Sequence, residues 1–291
     1  MISPVILMAA IVALIPFLTA AFFSAKLATA TERLPANVQL FAPSIVCLIY
    51  VVVGFETGTF HWKWLALYAL LPVAISLLMW QARQRDPTQH GNWRDFLVLA
   101  ILGLVVDLRW FQHAWPAHLI VFNKILLLDA SIWGFLVVRR LDAAGFNLRL
   151  RWHDLGIGLR ELAFYTPLAI LLGLGLGFLH LHSSTPWLSR LPGAFLFTFF
   201  FIAVPEELFF RGWLQNLLER RIGRYPALFF TAALFGLAHF NKRAVHFNWR
   251  YVLLATLAGI FYGRAWRQQR RVGASAITHA CVDTIWSLWL R

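Results

Sequence analysis

The sequence predicts an all-α fold: a polytopic membrane bundle of eight to ten transmembrane helices. Three observations carry that reading. Apolar residues make up 60% of the chain and charged residues only 13%. A soluble domain carries roughly 25% charged residues, so the surroundings must be largely lipid. Apolar runs near the ~20 residues needed to cross a bilayer recur from end to end. The runs are continuous and rich in Leu, Ala and Phe. A closed β-barrel, the other architecture lipid permits, would show segments of about ten residues with alternating polarity.

In order, the runs are Pro4–Phe23, Val38–Phe55, Trp62–Trp80, Phe96–Val106, Ala117–Val138, Leu162–Leu179, Pro192–Leu218, Pro226–Phe240, Trp249–Ala265 and Val272–Leu290. The first lacks a basic leader and a clear small-residue cleavage site, so it reads as a retained span. Phe96–Val106 is short enough to be a half-span. The fifth contains Asn123, Lys124 and Asp129. These are either a second polar patch or the sign of a broken helix. A spacing of five is poor for pairing Lys124 with Asp129 on one helix, and a lysine can snorkel to the interface. Cys47 and Cys281 lie inside spans and read as small apolar fillers, without a disulfide framework. The loops are short, so one membrane domain is expected. Residues 1–150 would be accessory helices and residues 151–291 the core that carries chemistry.

A net charge of +13 would suggest nucleic acid in a soluble protein. Here the basic residues sit in loops, and no nucleic acid partner is expected. Of the 26 Lys and Arg, the odd-numbered loops hold seventeen and the even-numbered loops with the C-terminus seven, while Lys124 and Arg211 fall inside spans. Positive charge stays cytoplasmic, so both termini are predicted outside. The basic face suits the headgroups of a lipid bilayer and substrates at the inner leaflet. The many Trp and Phe near span ends read as an aromatic belt. His113, His118, His153, His180, His182 and His246 lie in or near loops, where an interfacial position explains them.

Ionisable groups inside spans are costly and therefore point to function. The seventh run contains Val204-Pro205-Glu206-Glu207-Leu208-Phe209-Phe210-Arg211. Glu207 and Arg211 are four apart, share a helix face and can pair. Glu206 lies about 100° round the helix and needs a different partner. Pro205 either kinks the helix or starts a new one, with the two Glu in its first turn, where the helix dipole favours negative charge. The eighth run presents Phe235 and His239 on one face, and the tenth His279 and Asp283. At 1.5 Å per residue, Glu206 lies about 18 Å from Leu218, His239 about 20 Å from Pro226, and His279 and Asp283 about 10 and 16 Å from Val272. Four polar groups on three helices thus fall at similar depth. Taken singly, each pair reads equally as a helix-surface ion pair, a satisfied core histidine or half a metal site; the three in this order are far more specific.

These motifs, Glu206-Glu207…Arg211, Phe235…His239 and His279…Asp283, resemble those of the CPBP (CAAX protease and bacteriocin-processing, or Abi) family of intramembrane proteases, relatives of the Rce1-type CAAX prenyl endopeptidases. The resemblance spans roughly Leu162–Leu290. It implies a protease in which Glu206 and His239 activate a water, His279 and the residue at 283 stabilise the oxyanion, and Glu207 with Arg211 holds the helix. An ionised Asp283 cannot donate to an oxyanion as Asn can. It is then protonated, or orients His279, or binds a metal. Zinc is the possible cofactor: Glu206, His239 and His279 make a His₂Glu set with an open fourth position, but no His-Glu-x-x-His appears, which favours a metal-free glutamate enzyme. The expected substrate is a membrane-associated protein or peptide, and the expected location is a bacterial cytoplasmic membrane. Two rival readings are a non-proteolytic scaffold or immunity-type protein that keeps the polar cluster, and a transporter with Lys124 and Asp129 on its path.

Overall fold

The computed structural model describes residues 3–181, 187–242 and 246–290. His182, Arg243 and Arg291, which entered the sequence reading, lie outside the described residues. Among those described, the regular elements are helical, and the chain divides into two compact units, Met1–Asp142 and Ala143–Arg291. The first holds α1 (Pro4–Glu32), α2 (Ala36–Thr57), α3 (Trp62–Arg85), α4 (Trp93–Asp107) and α5 (Ala117–Val138). The second holds α6 (Trp152–Gly175), α7 (Leu188–Ile222), α8 (Arg224–Leu237), α9 (Trp249–Gln269) and α10 (Val272–Trp289). Each apolar run read from the sequence falls on one of these ten helices. Six of them, α1, α2, α3, α5, α6 and α7, are long and apolar enough to cross a membrane. The protein is a polytopic helical membrane protein.

In the first unit the polar residues of α5 separate by face. Asn123 is buried and accepts from the Tyr68 hydroxyl at 2.9 Å, and that hydroxyl accepts from Trp115 Nε1 at 2.7 Å. Asp129 is buried as well, whereas Lys124 is exposed. The spacing of five thus puts Lys124 and Asp129 on different faces, and they do not line one path. The helix is not broken, but it begins in a 3₁₀ turn and ends in π-helical turns over Trp133–Val138. After it, the fully buried Arg139 meets Asp95 at 2.8 Å and Asp86 at 2.7 Å. These two carboxylates offset a guanidinium that would otherwise cost several kcal/mol to desolvate.

In the second unit α6 begins ten residues before its apolar run. Asp154 accepts from the Arg151 amide at 2.9 Å and pairs with Arg271 at 2.8 Å, so a polar first turn is stabilised at the helix start. Helix α7 neither restarts nor breaks at Pro205. It runs through, widened into π-helical turns over Phe199–Ala203 and Leu208–Gln215. These wider turns absorb the hydrogen bond that proline removes. Helices α8 and α9 approach almost backbone to backbone: a Cβ built on Gly236 would lie 2.6 Å from the Val252 carbonyl oxygen, and one on Gly259 3.1 Å from Ala232 Cα. Small residues at such contacts let membrane helices close up, and this crossing sets the distance between the two helices that wall the site.

Candidate active site

Helix α7 supplies the two glutamates. Glu207 and Arg211 are both fully buried, with Arg211 Nε 3.2 Å from Glu207 Oε2. The contact is an ion pair by proximity rather than a straight hydrogen bond, since neither atom finds hydrogen-bond geometry. Arg211 Nη2 also donates to the Gly259 carbonyl at 3.1 Å, and its guanidinium lies 5.0 Å from the centre of the Phe235 ring. A counter-charge, a carbonyl and a ring face together accommodate a cation that lipid would not.

Three carboxylates surround His279. Its Nδ1 is 2.9 Å from Glu207 Oε1. Its Nε2 is 3.5 Å from Asp283 Oδ2 and 3.9 Å from Glu206 Oε2. Carboxylate oxygens stand near both ring nitrogens, so each nitrogen can carry a hydrogen and donate it. The angle between neighbouring helix residues explains the arrangement: Glu207 reaches one nitrogen and Glu206, about 100° further round, the other. Glu207 bridges Arg211 and His279 with its side chain fully buried, whereas the Glu206 and Asp283 side chains keep 28% and 29% exposure. Fully buried and partly exposed carboxylates are thus separated within one cluster.

His239 lies just past the end of α8, in the turn that follows Leu237, rather than within the span as its spacing suggested. Its Nδ1 stands 2.8 Å from the Phe235 carbonyl. A carbonyl only accepts, so Nδ1 carries the hydrogen and Nε2 is the acceptor nitrogen of the neutral ring. His239, His279 and Asp283 line one cavity of the second unit, with about 80 Å³ open to water-sized molecules. A single water needs on the order of 10–15 Å³ on that measure, so more than one water fits beside these side chains. Glu206 interacts electrostatically with both His239 and Arg211.

Aromatic rings complete the site, and motif reasoning did not find them. Tyr262 of α9 stacks on His279, centroids 4.6 Å apart and planes within 15°. Phe235 meets the other side of the cluster edge-on, 5.6 Å from His279 and 4.9 Å from His239. Tyr251 lies 4.9 Å from His239 and 5.1 Å from Trp286. Reading the aromatics as an interfacial belt hid them. The one sequence signal for Tyr262 is its place between Gly259 and Gly263, where α9 can come close to its neighbours.

Nδ1 of His279 is turned to Glu207, and among the described residues no group of three or more His, Cys, Asp and Glu side chains has the arrangement to hold a metal ion.

Residues 188–285 match the family model described as type II CAAX prenyl endopeptidase Rce1-like. The matched segment lies within the second unit, contains all seven motif residues, and is narrower than the Leu162–Leu290 span of the resemblance. Comparison with curated proteins gave no match, and neither did comparison with solved structures.

Proposed function

Starting from an Rce1-like CAAX protease domain at residues 188–285, we propose that this protein is an intramembrane endopeptidase that hydrolyses a peptide bond of a membrane-associated protein or peptide. The observation that carries the reading is the convergence of two partly exposed carboxylates, Glu206 and Asp283, within 4 Å of one nitrogen of His279, beside a cavity that His239 also lines.

In this reading a water sits between Glu206 and Nε2 of His239. Glu206 takes a proton as the water oxygen bonds to the substrate carbonyl carbon. The carbonyl electron pair moves to oxygen, and the oxyanion is met by the hydrogen on Nε2 of His279. Asp283 adjoins the same nitrogen and acts with it, as a donor when protonated and otherwise by orienting the ring. The C–N bond then breaks, and the proton held by Glu206 passes to the leaving amine. A general base contributes roughly 10²–10⁴-fold and a preorganised oxyanion donor roughly 10²–10³-fold. Glu207 and Arg211 do no chemistry: they hold His279 and α7 in place. Residues 1–150 supply accessory helices. The short α4 and α8 and the more polar α9 and α10 add to the six long helices, for eight to ten membrane segments in all. The charge of the loops supports an orientation with both termini outside, and a bacterial cytoplasmic membrane is the location proposed with it.

The test compares membrane proteomes of cells carrying wild type, Glu206→Ala and His239→Ala. New N-termini present with wild type and missing in both variants, at equal protein levels, are the expected result. Retention of every cleavage in either variant refutes the proposal and leaves the non-proteolytic scaffold.

A further inference from the structure

The cavity and the arginines occupy opposite ends of the second unit. On α6 the cavity wall runs from Tyr165 to beyond the C-terminal end of the helix at Leu179. On α10 it runs from His279 to Leu290, and on α9 from Tyr251, near the N-terminal end, to Tyr262. These stretches all lie toward one end of the bundle. The other end is joined by ion pairs: Arg271 with Asp154 at 2.8 Å, Arg264 with Glu161 at 3.2 Å, and Arg267 and Arg270 with Glu219 at 3.3 and 2.8 Å. Those contacts bring the starts of α6 and α10 together with the ends of α7 and α9. Arg149, Arg151, Arg160, Arg220, Arg221 and Arg224 belong to the same end by chain position, whereas the described basic residues at the cavity end are Arg190, Lys242 and Arg250.

Short loops rich in Lys and Arg stay in the cytoplasm, and acidic residues contribute little to that choice. The arginine end is then cytoplasmic and the cavity end faces away from it. From His279 to Leu290 is about 16 Å of helix at 1.5 Å per residue, and the walls along it are apolar or aromatic: Ile170, Leu254, Val282, Ile285, Tyr251 and Trp286. We propose that the cavity opens toward the extracytoplasmic face and receives an apolar peptide segment of an exported or membrane-anchored protein. This replaces the inner-leaflet substrate that the basic loops suggested. The substrate class rests on the hydrolase reading of the site; the sidedness does not.

Two measurements test it. In a full-length protein with Cys47 and Cys281 replaced by Ala, single cysteines are placed at Leu181, which follows the cavity end and is 80% exposed, and at the exposed Arg224 of the arginine end. Intact spheroplasts are treated with a membrane-impermeant sulfonated maleimide. Leu181→Cys is expected to label fully, and Arg224→Cys only after permeabilisation. The reverse pattern overturns the proposal. In parallel, the Glu206-dependent new N-termini are mapped onto the topology of their parent proteins. They are expected in extracytoplasmic or outer-leaflet segments, and termini confined to cytoplasmic segments overturn the substrate class. If no Glu206-dependent terminus exists, the hydrolase reading falls, while the labelling still decides the sidedness.

Discussion

Changing each of the adjacent glutamates to glutamine separates support from chemistry. Glu207→Gln keeps the shape of the side chain and removes its charge. Arg211, fully buried, then loses a carboxylate 3.2 Å away. At an effective dielectric of about 20 that attraction is worth ~5 kcal/mol, and removing one partner of a buried pair typically costs ~3–5 kcal/mol. The Gln oxygen can still accept from Nδ1 of His279, and the Gly259 carbonyl still holds Arg211, so the lower half of that range is expected. Glu206 differs. Its side chain is 28% exposed and stands 3.9 Å from Nε2 of His279, and partly solvated pairs of that kind contribute about 0–1 kcal/mol. Glu206→Gln should therefore unfold within a degree or two of wild type and lose peptide cleavage by ~10²–10⁴-fold, as removal of a general base does. Thermal unfolding of detergent-purified protein and quantification of the Glu206-dependent termini read the two effects. A Glu206→Gln variant as unstable as Glu207→Gln, or an active one, refutes the division of labour.

Asp283→Asn should retain activity within about tenfold, since an amide can accept from Nε2 of His279 and also donate to an oxyanion; a loss beyond ~100-fold assigns a proton-carrying role to the carboxylate. Gly236→Val should lower stability by ~1–3 kcal/mol in thermal unfolding, because the new Cβ falls 2.6 Å from the Val252 carbonyl oxygen and forces α8 from α9. In the first unit, burial works to raise the Asp86 carboxyl, but the amides of His90 and Gly91 and the Arg139 guanidinium outweigh it and hold it below its ordinary value. Its stabilisation is therefore complete above the unfolded value of about 3.9 and is lost as pH falls below that through the lowered folded value, so acid unfolding followed by fluorescence should be less steep in Asp86→Asn. Dialysis against a zinc chelator should leave cleavage unchanged; a loss restored by added zinc refutes the metal-free mechanism.

What the sequence made legible follows from what lipid penalises. Hydrocarbon tolerates neither exposed backbone polar groups nor casual charge, so helices appear as apolar runs and candidate site groups as interruptions within them. Glu206, Glu207, Arg211, His239, His279 and Asp283 were found that way, and so was the pairing of Glu207 with Arg211. Helix ends were less legible. The start of α6 is polar and helical because Asp154 serves both as an acceptor for the Arg151 amide and as the partner of Arg271, and the second of these lies more than a hundred residues away. The depth reasoning likewise put His239 within a span, although α8 stops at Leu237. A backbone turn after a short helix brings its ring to the cavity, and hydropathy does not record turns.

The adjacency of the two glutamates then acquires a physical reason. Neighbouring residues on one helix diverge, which suits a single ring with two nitrogens on different edges: Glu207 meets Nδ1 and Glu206 approaches Nε2. The same divergence assigns burial, because one side chain turns inward to Arg211 and the other keeps 28% of its surface exposed. What keeps the ring in register with both is Tyr262, stacked on its face. That tyrosine reaches it on α9, whose Gly259 lets the helix close on Ala232 of α8 and whose carbonyl at the same residue accepts from Arg211. Gly259 thus acts twice, through its missing side chain and through its backbone oxygen. A helix without any acidic or histidine motif is in this way as necessary to the geometry as the three that carry the motif residues.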